Sequence, residues 1–230
     1  MAVFFIVFVF LLAVPVFWPS ADLFLSGLFH EAGRGFPLAD SFLFQAVHEL
    51  AFYGARVLAL AFMAFLLVAL VRRKKVFLSS KAWIFLFLAL VIGPGLVANA
   101  GFKDHWGRPR PREVVAFGGT ERFLPIYEPQ FDGARSNGSF VCGDGAFGFF
   151  LTAFAFVVPY RLTRRAFAAA VGLGLVFSFV RLAMGAHFFS DIVYAALLMF
   201  AVNTALFALF YGRREAWARW RAIICGGADV

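Results

Sequence analysis

The sequence predicts an all-α fold: a polytopic membrane protein of six transmembrane helices, with short interfacial helices on the periplasmic side. Three observations carry this expectation. The 230 residues are 63% hydrophobic and only 15% charged, where a soluble domain has roughly 25% charged residues. Charge arrives in short clusters, and these separate apolar runs of about the length a bilayer requires. Each run is continuous rather than alternating, the pattern of membrane helices and not of barrel strands.

The runs cover about residues 2–18, 51–71, 82–100, 143–160, 166–185 and 188–211. No Lys or Arg precedes the first, and Pro19-Ser20-Ala21 makes a poor cleavage site, so a retained span is expected rather than a signal peptide. Residues 19–50 hold two amphipathic stretches, Ala21–Ala32 and Leu38–Leu50, expected to lie in the interface plane beside Trp18. His30, His48 and Glu49 fall here and read as surface or packing residues. No repeat or low-complexity linker divides the chain, so residues 1–230 are expected to form one domain.

Orientation follows from the basic clusters. Arg72, Arg73, Lys74, Lys75 and Lys81 lie between runs two and three. Arg161, Arg164 and Arg165 lie between four and five, and Arg213, Arg214, Arg219 and Arg221 follow run six. With six alternating helices these 12 of 21 basic residues share one side, which the positive-inside rule makes the cytoplasm. Both termini are then cytoplasmic. Topology thus explains the net charge of +8 better than nucleic acid does. Cys142 and Cys225 face opposite sides, so no disulfide within the chain is expected, and they are too far apart for a close-spaced metal motif.

The outer loop at 101–142 still holds Lys103, Arg108, Arg110, Arg112, Arg122 and Arg135. Topology does not require these cations. Either they pair with Asp104, Glu113, Glu121, Glu128 and Asp132, or they bind an anion.

Three outer-facing blocks bear the chemistry: Lys103 to Pro111 (KDHWGRPRP), Ser139 to Gly145 (SFVCGDG), and Arg181 to Asp191 (RLAMGAHFFSD). A phosphate carries two charges and needs several cations, and Arg adds a planar fork that binds two oxygens. Lys103, Arg110 and Arg181 supply that charge. Gly143, opening the fourth run, lets backbone N–H groups and a helix N-terminus approach an oxygen. His187 and Asp191 are four apart on one helix face, so the carboxylate is expected to bind the far N–H of the imidazole and raise its basicity. The competing reading makes Arg181, His187 and Asp191 a structural ion cluster. A His and an Asp at this spacing also suit a metal, which demands further ligands from the other His.

With these blocks in order, the sequence resembles the type 2 phosphatidic acid phosphatase superfamily, marked by Lys-x(6)-Arg-Pro, Pro-Ser-Gly-His and Arg-x(5)-His-x(3)-Asp. Lys103…Arg110-Pro111 and Arg181…His187…Asp191 match in residue and spacing. The middle block matches only at Gly143, since Val141, Cys142 and Asp144 replace Pro, Ser and His. The resemblance covers about residues 100–192. It implies that Lys103, Arg110 and Arg181 hold phosphate oxygens with help from Cys142 and Gly143, that His187 attacks phosphorus, and that Asp191 orients it. It also implies no cofactor and no metal. The family's middle His protonates the leaving oxygen. Here Asp144 stands in its place, or His105 substitutes, or the leaving group needs little help. His105 and Arg108 are the auxiliary candidates.

An easy leaving group favours an anomeric phosphate such as the 1-position of lipid A, and Trp106 to Pro111 with Phe117-Gly-Gly resembles bacterial lipid A phosphatases. Undecaprenyl diphosphate and phosphatidylglycerol phosphate are the alternative substrates, and a non-catalytic lipid-binding relative is the alternative function. The expected partners are a phosphorylated membrane lipid and the bilayer, with no nucleic acid. An anion transporter is disfavoured, because runs five and six are apolar at their centres.

Overall fold

The computed structural model describes residues 2–72, 77–131 and 137–225. Arg73, Lys74 and Lys75 of the expected cytoplasmic cluster, and Asp132 and Arg135 of the outer loop, lie outside the described residues. The helices are α1 (Ala2–Phe17), α2 (Ser20–Gly27), α3 (Phe42–Arg72), α4 (Ser80–Leu90, continued by a π-helix over Val91–Lys103), α5 (Gly143–Phe150), α6 (Ala153–Val157), α7 (Tyr160–Ala183), α8 (Phe189–Tyr211) and α9 (Arg213–Cys225). Among the described residues there are isolated extended bridges, including Glu31 with Gly35 and Val114 with Glu121.

Four stretches are long and apolar enough to cross a membrane: Phe42–Ala69, Ser80–Lys103, Tyr160–Ala183 and Phe189–Tyr211. The other two expected spans are shorter. The 16 residues of α1 reach about 24 Å at 1.5 Å per residue, less than the roughly 30 Å hydrocarbon core. The run at 143–160 is broken between α5 and α6. There Thr152 Oγ1 donates to the Phe149 carbonyl at 2.7 Å. Asn203 Nδ2 of α8 donates to the Phe150 carbonyl at 3.1 Å and to Thr152 Oγ1 at 3.0 Å. Side chains thereby satisfy carbonyls that the interrupted ladder leaves open, which buried backbone requires.

Residues 19–50 also differ from expectation. Ala21–Ala32 is helical only through α2, and most of Leu38–Leu50 is no separate interfacial helix. From Phe42 onward it is the first turns of α3, a single helix of 31 residues, because no Pro interrupts it. His48 and Glu49 therefore sit near the start of a membrane-length helix.

The lower half of α4 widens where Pro94 lacks an N–H and its ring crowds the preceding turn. The Asp104 N–H reaches the Asn99 carbonyl, five residues back, at 3.3 Å, and Asn99 Nδ2 donates to the Pro94 carbonyl at 2.7 Å. Helix α5 runs through the middle of the bundle. A side chain at Gly148 would begin 2.5 Å from the Gly174 Cα, so α5 and α7 touch backbone to backbone, as membrane helices do through small residues. Phe85, Phe149, Phe150, Phe156 and Phe207 fill the core, while Val57, Leu60 and Leu67 of α3 face outward.

Helix direction sorts the charges. The starts of α5 and α8 and the ends of the π-helix and α7 bear the three sequence blocks, and His48 lies near the start of α3. The opposite ends carry Lys81, Arg161, Arg164, Arg165 and the arginines of α9. Helix α9 packs back onto that end: Arg219 Nη1 donates to the Val158 carbonyl at 2.6 Å and to Thr163 Oγ1 at 3.0 Å.

Candidate active site

Backbone hydrogen bonds stitch the three blocks together. Gly138 N–H donates to the Lys103 carbonyl at 2.9 Å, Ser139 N–H to the Arg108 carbonyl at 2.8 Å, and Arg112 N–H to the Gly185 carbonyl at 3.1 Å. Gly185 has φ +63°, and a side chain there would begin 2.4 Å from the Phe36 ring. Only glycine turns the chain at this point without strain or collision.

A cavity of about 590 Å³ opens at the joint, and Lys103, Arg110, Arg112 and Arg181 line it with Glu49, Asp144 and His48. Four cations face two carboxylates, so the cavity is set for an anion. Arg110 is steadied by Asn137, its Nη2 donating to the carbonyl at 3.1 Å and to Oδ1 at 3.0 Å. Its pKa lies below the usual arginine value, because of burial and the nearby charges of Arg112 and Arg181. Arg181 is 7% exposed, and its Nε finds no hydrogen bond among the described residues. Gly143 presents its backbone beside this group, since a side chain there would begin 3.5 Å from Lys103 Nζ.

His187 is buried, 1% exposed, and is not among the residues lining the cavity. Its Nδ1 lies 2.6 Å from the Ser139 carbonyl oxygen. A carbonyl only accepts, so Nδ1 carries the proton and Nε2 keeps a lone pair. Burial, and then the charges of Arg181, Lys103 and Arg110, hold the His187 pKa well below the usual histidine value. The ring is a neutral imidazole at neutral pH.

The hydrogen bond expected from this ring's N–H to Asp191 is replaced. Asp191 Oδ2 lies 3.7 Å from Nδ1 and accepts instead from the Phe188 N–H at 2.8 Å, while Oδ1 accepts from Arg108 Nη1 at 2.5 Å. The Arg108 guanidinium and the Phe188 N–H claim the carboxylate, and the Ser139 carbonyl takes the imidazole N–H. Arg108 is equally far from its expected auxiliary place. It is fully buried, donating from Nη2 to Asp22 Oδ2 at 2.8 Å and from Nε to the Leu124 carbonyl at 2.9 Å. Burial disfavours its charge, but Asp191 and Asp22 outweigh this and raise its pKa. Asp22 further accepts from Ser190 N–H at 2.8 Å and Ser190 Oγ at 2.6 Å, tying α2 to the start of α8.

Asp144 lines the cavity and contacts two basic side chains: His48 Nδ1 at 2.5 Å and Arg181 Nε at 3.4 Å from its Oδ2. Cys142 turns away from the cavity. Its Sγ accepts from the Gly145 N–H at 3.4 Å, and burial with nearby Asp144 pushes the thiol up to about 12, so it caps α5 as a neutral thiol. His105 turns away too, with Nδ1 3.1 Å from the Gly101 carbonyl. In the outer loop Arg122 pairs with Glu128 at 2.8 Å.

His48, Asp22 and Asn137 are among the polar site residues that sequence reasoning set aside or passed over. One signal pointed to His48: a carboxylate at 144, among cations and in place of a neutral group, has reason to take a partner.

The chain was compared with known proteins. It is 43% identical over 141 residues to "Lipid A 4'-phosphatase" of Francisella tularensis subsp. novicida, covering 59% of this chain and 61% of that protein. It is 31% identical to "Lipid A 4'-phosphatase" of Rhizobium leguminosarum over 86% of this chain and 91% of that one. A protein of the same name from Rhizobium etli is 32% identical, over 86% and 82% of the two chains. No solved structure matches. The family model described as PAP2 superfamily matches residues 81–215, a span that holds all three blocks, so this chain belongs to the PAP2 superfamily.

Proposed function

We propose that the protein is a lipid phosphatase that removes the 4′-phosphate of lipid A through a phosphohistidine on His187, at the periplasmic face of a bacterial inner membrane. The observation that carries this reading is the pairing of an anion cavity with a neutral imidazole. Lys103, Arg110 and Arg181 supply the charge, and His187, with Nδ1 on the Ser139 carbonyl, keeps its Nε2 lone pair for phosphorus. The cations stabilise the charge spread over the transferring phosphoryl group, and Gly143 with the start of α5 offers N–H groups to its oxygens.

A second cavity of about 770 Å³ supports a lipid substrate. It shares Lys103 and Asp144 with the first and runs along Ala51, Ala55, Ala59, Leu90 and Leu96 between α3 and α4. A phosphorylated headgroup suits the charged end and an acyl chain the apolar one.

The 4′-position replaces the anomeric expectation. The relatives carry that position in their names, and His48 beside Asp144 removes the premise that the leaving oxygen goes unassisted. The topology proposed with this reading keeps six crossings. Helix α1 is one, and α5 with α6 the other short one, shielded from lipid by α3, α4, α7 and α8. Lys81, Arg161, Arg164, Arg165 and the arginines of α9 mark the cytoplasmic end. No metal enters the scheme, because a cavity lined by four cations repels a divalent one.

The test is phosphate release from detergent-solubilised lipid A by the purified protein, with mass spectrometry assigning the site of loss. Undecaprenyl diphosphate and phosphatidylglycerol phosphate run alongside. Loss from the 4′-position, undiminished by EDTA, is expected. Preference for either other lipid, or for the 1-position, contradicts the substrate assignment, and no release from any lipid identifies a non-catalytic relative.

A further inference from the structure

Resting on that reading, we propose that His48 is the proton donor to the leaving oxygen, held in place by Asp144. A 4′-phosphate is the ester of an ordinary secondary alcohol, whose alkoxide leaves slowly unless protonated as the P–O bond breaks. The chain has four histidines, and three are committed elsewhere. His187 is the nucleophile, His105 turns to the Gly101 carbonyl, and His30 packs against the rings of Phe36 and Phe117 at 5.4 and 5.2 Å. His48 alone of the four lines the anion cavity, opposite Lys103, Arg110 and Arg181. Asp144 has no proton to give, since its Oδ2 is shared by His48 and Arg181, while Glu49 on the same rim is exposed to water.

The geometry assigns the two ring nitrogens. Nδ1–H donates to Asp144 Oδ2 at 2.5 Å, so the proton that moves is on Nε2, directed away from the carboxylate. Asp144 stabilises the imidazolium and fixes the ring, acting as the positioning residue.

The cycle balances in two steps. His187 Nε2 forms a bond to phosphorus as the bond to the lipid oxygen breaks, and His48 Nε2 passes its proton to that oxygen, releasing the lipid as an alcohol. Water then attacks the phosphohistidine, the N–P bond breaks, and the water proton returns to His48 Nε2 as phosphate leaves. The donor has thus moved to α3, a different helix from the one that bears the middle block.

The experiment compares two leaving groups. Rates on lipid A and on a long-chain nitrophenyl phosphate, whose phenolate leaves without a proton, are measured for wild type, His48→Gln, Asp144→Asn and His187→Ala. His48→Gln is expected to lose roughly 10²–10⁴-fold on lipid A and less than about tenfold on the aryl ester. Asp144→Asn should follow the same pattern at smaller amplitude. Equal losses on both esters overturn the proposal and make His48 a structural partner of Asp144. His187→Ala separates the two readings. If it is inactive while His48→Gln is not impaired on lipid A, the nucleophile stands and the donor falls. Turnover by His187→Ala removes the phosphohistidine itself.

Discussion

Arg108 Nη1 lies 2.5 Å from Asp191 Oδ1, and both side chains are buried. This pair fastens the loop after α4 to the start of α8, and Asp22 of α2 completes it. Arg108 therefore holds the frame of the site and takes no part in grasping phosphate. Arg108→Met leaves two buried carboxylates without their cation, a change that costs about 3–5 kcal/mol. A large drop in thermal stability in detergent is expected. A variant of unchanged stability but weaker inhibition by inorganic phosphate would return Arg108 to the binding cavity.

His187 predicts an acid limit on stability. Its native pKa lies well below the usual histidine value, through burial and the charges of Arg181, Lys103 and Arg110. Above pH 6.5 both the native and unfolded forms are neutral, and nothing is lost. As pH falls below 6.5 the unfolded state takes up a proton that the native state refuses, so stability declines by up to about 1.4 kcal/mol per pH unit. His187→Asn should flatten the slope between pH 6.5 and 5 by up to this amount. An unchanged slope contradicts a neutral buried imidazole.

Arg181 predicts the value of a fork over a point charge. Its Nε contacts Asp144 Oδ2 at 3.4 Å, and the side chain lines the anion cavity. Arg181→Lys keeps the charge and loses planar two-oxygen binding. Loss of one such donor costs about 10²–10³ in kcat. A lysine variant within a few-fold of wild type would show that charge alone suffices.

Cys142 predicts tolerance. As a buried neutral thiol at the N-cap of α5 it is no nucleophile. Serine is a better N-cap than most residues, so Cys142→Ser should keep activity within a few-fold and lose no stability. Rapid inactivation of wild type by a thiol reagent at pH 8, absent in Cys142→Ser, would contradict this.

The first and third blocks were legible because residue type and spacing both follow from local chemistry. Lys103 with Arg110, and Arg181 with His187, lie close in sequence, and helix direction brings them to one end of the bundle. The apolar runs likewise announced α3, α4, α7 and α8. What escaped were relations without a local spacing. His48 and Asp144 are 96 positions apart, and nothing near His48 hints that α3 begins early enough to bring it there. The break at Thr152 depends on Asn203 of another helix. The imidazole partner was misassigned because an i, i+4 pattern suggests a carboxylate, whereas a backbone carbonyl such as that of Ser139 leaves no mark in a sequence.

Trapping the intermediate tests the central claim most directly. The purified protein, in EDTA, is mixed with lipid A labelled in its 4′-phosphate, quenched in alkali within milliseconds, and digested for mass spectrometry. The account predicts an acid-labile, alkali-stable phosphate on the peptide containing His187, formed at least as fast as turnover and absent from His187→Ala. Turnover without any phosphopeptide, or label on another residue, would contradict it.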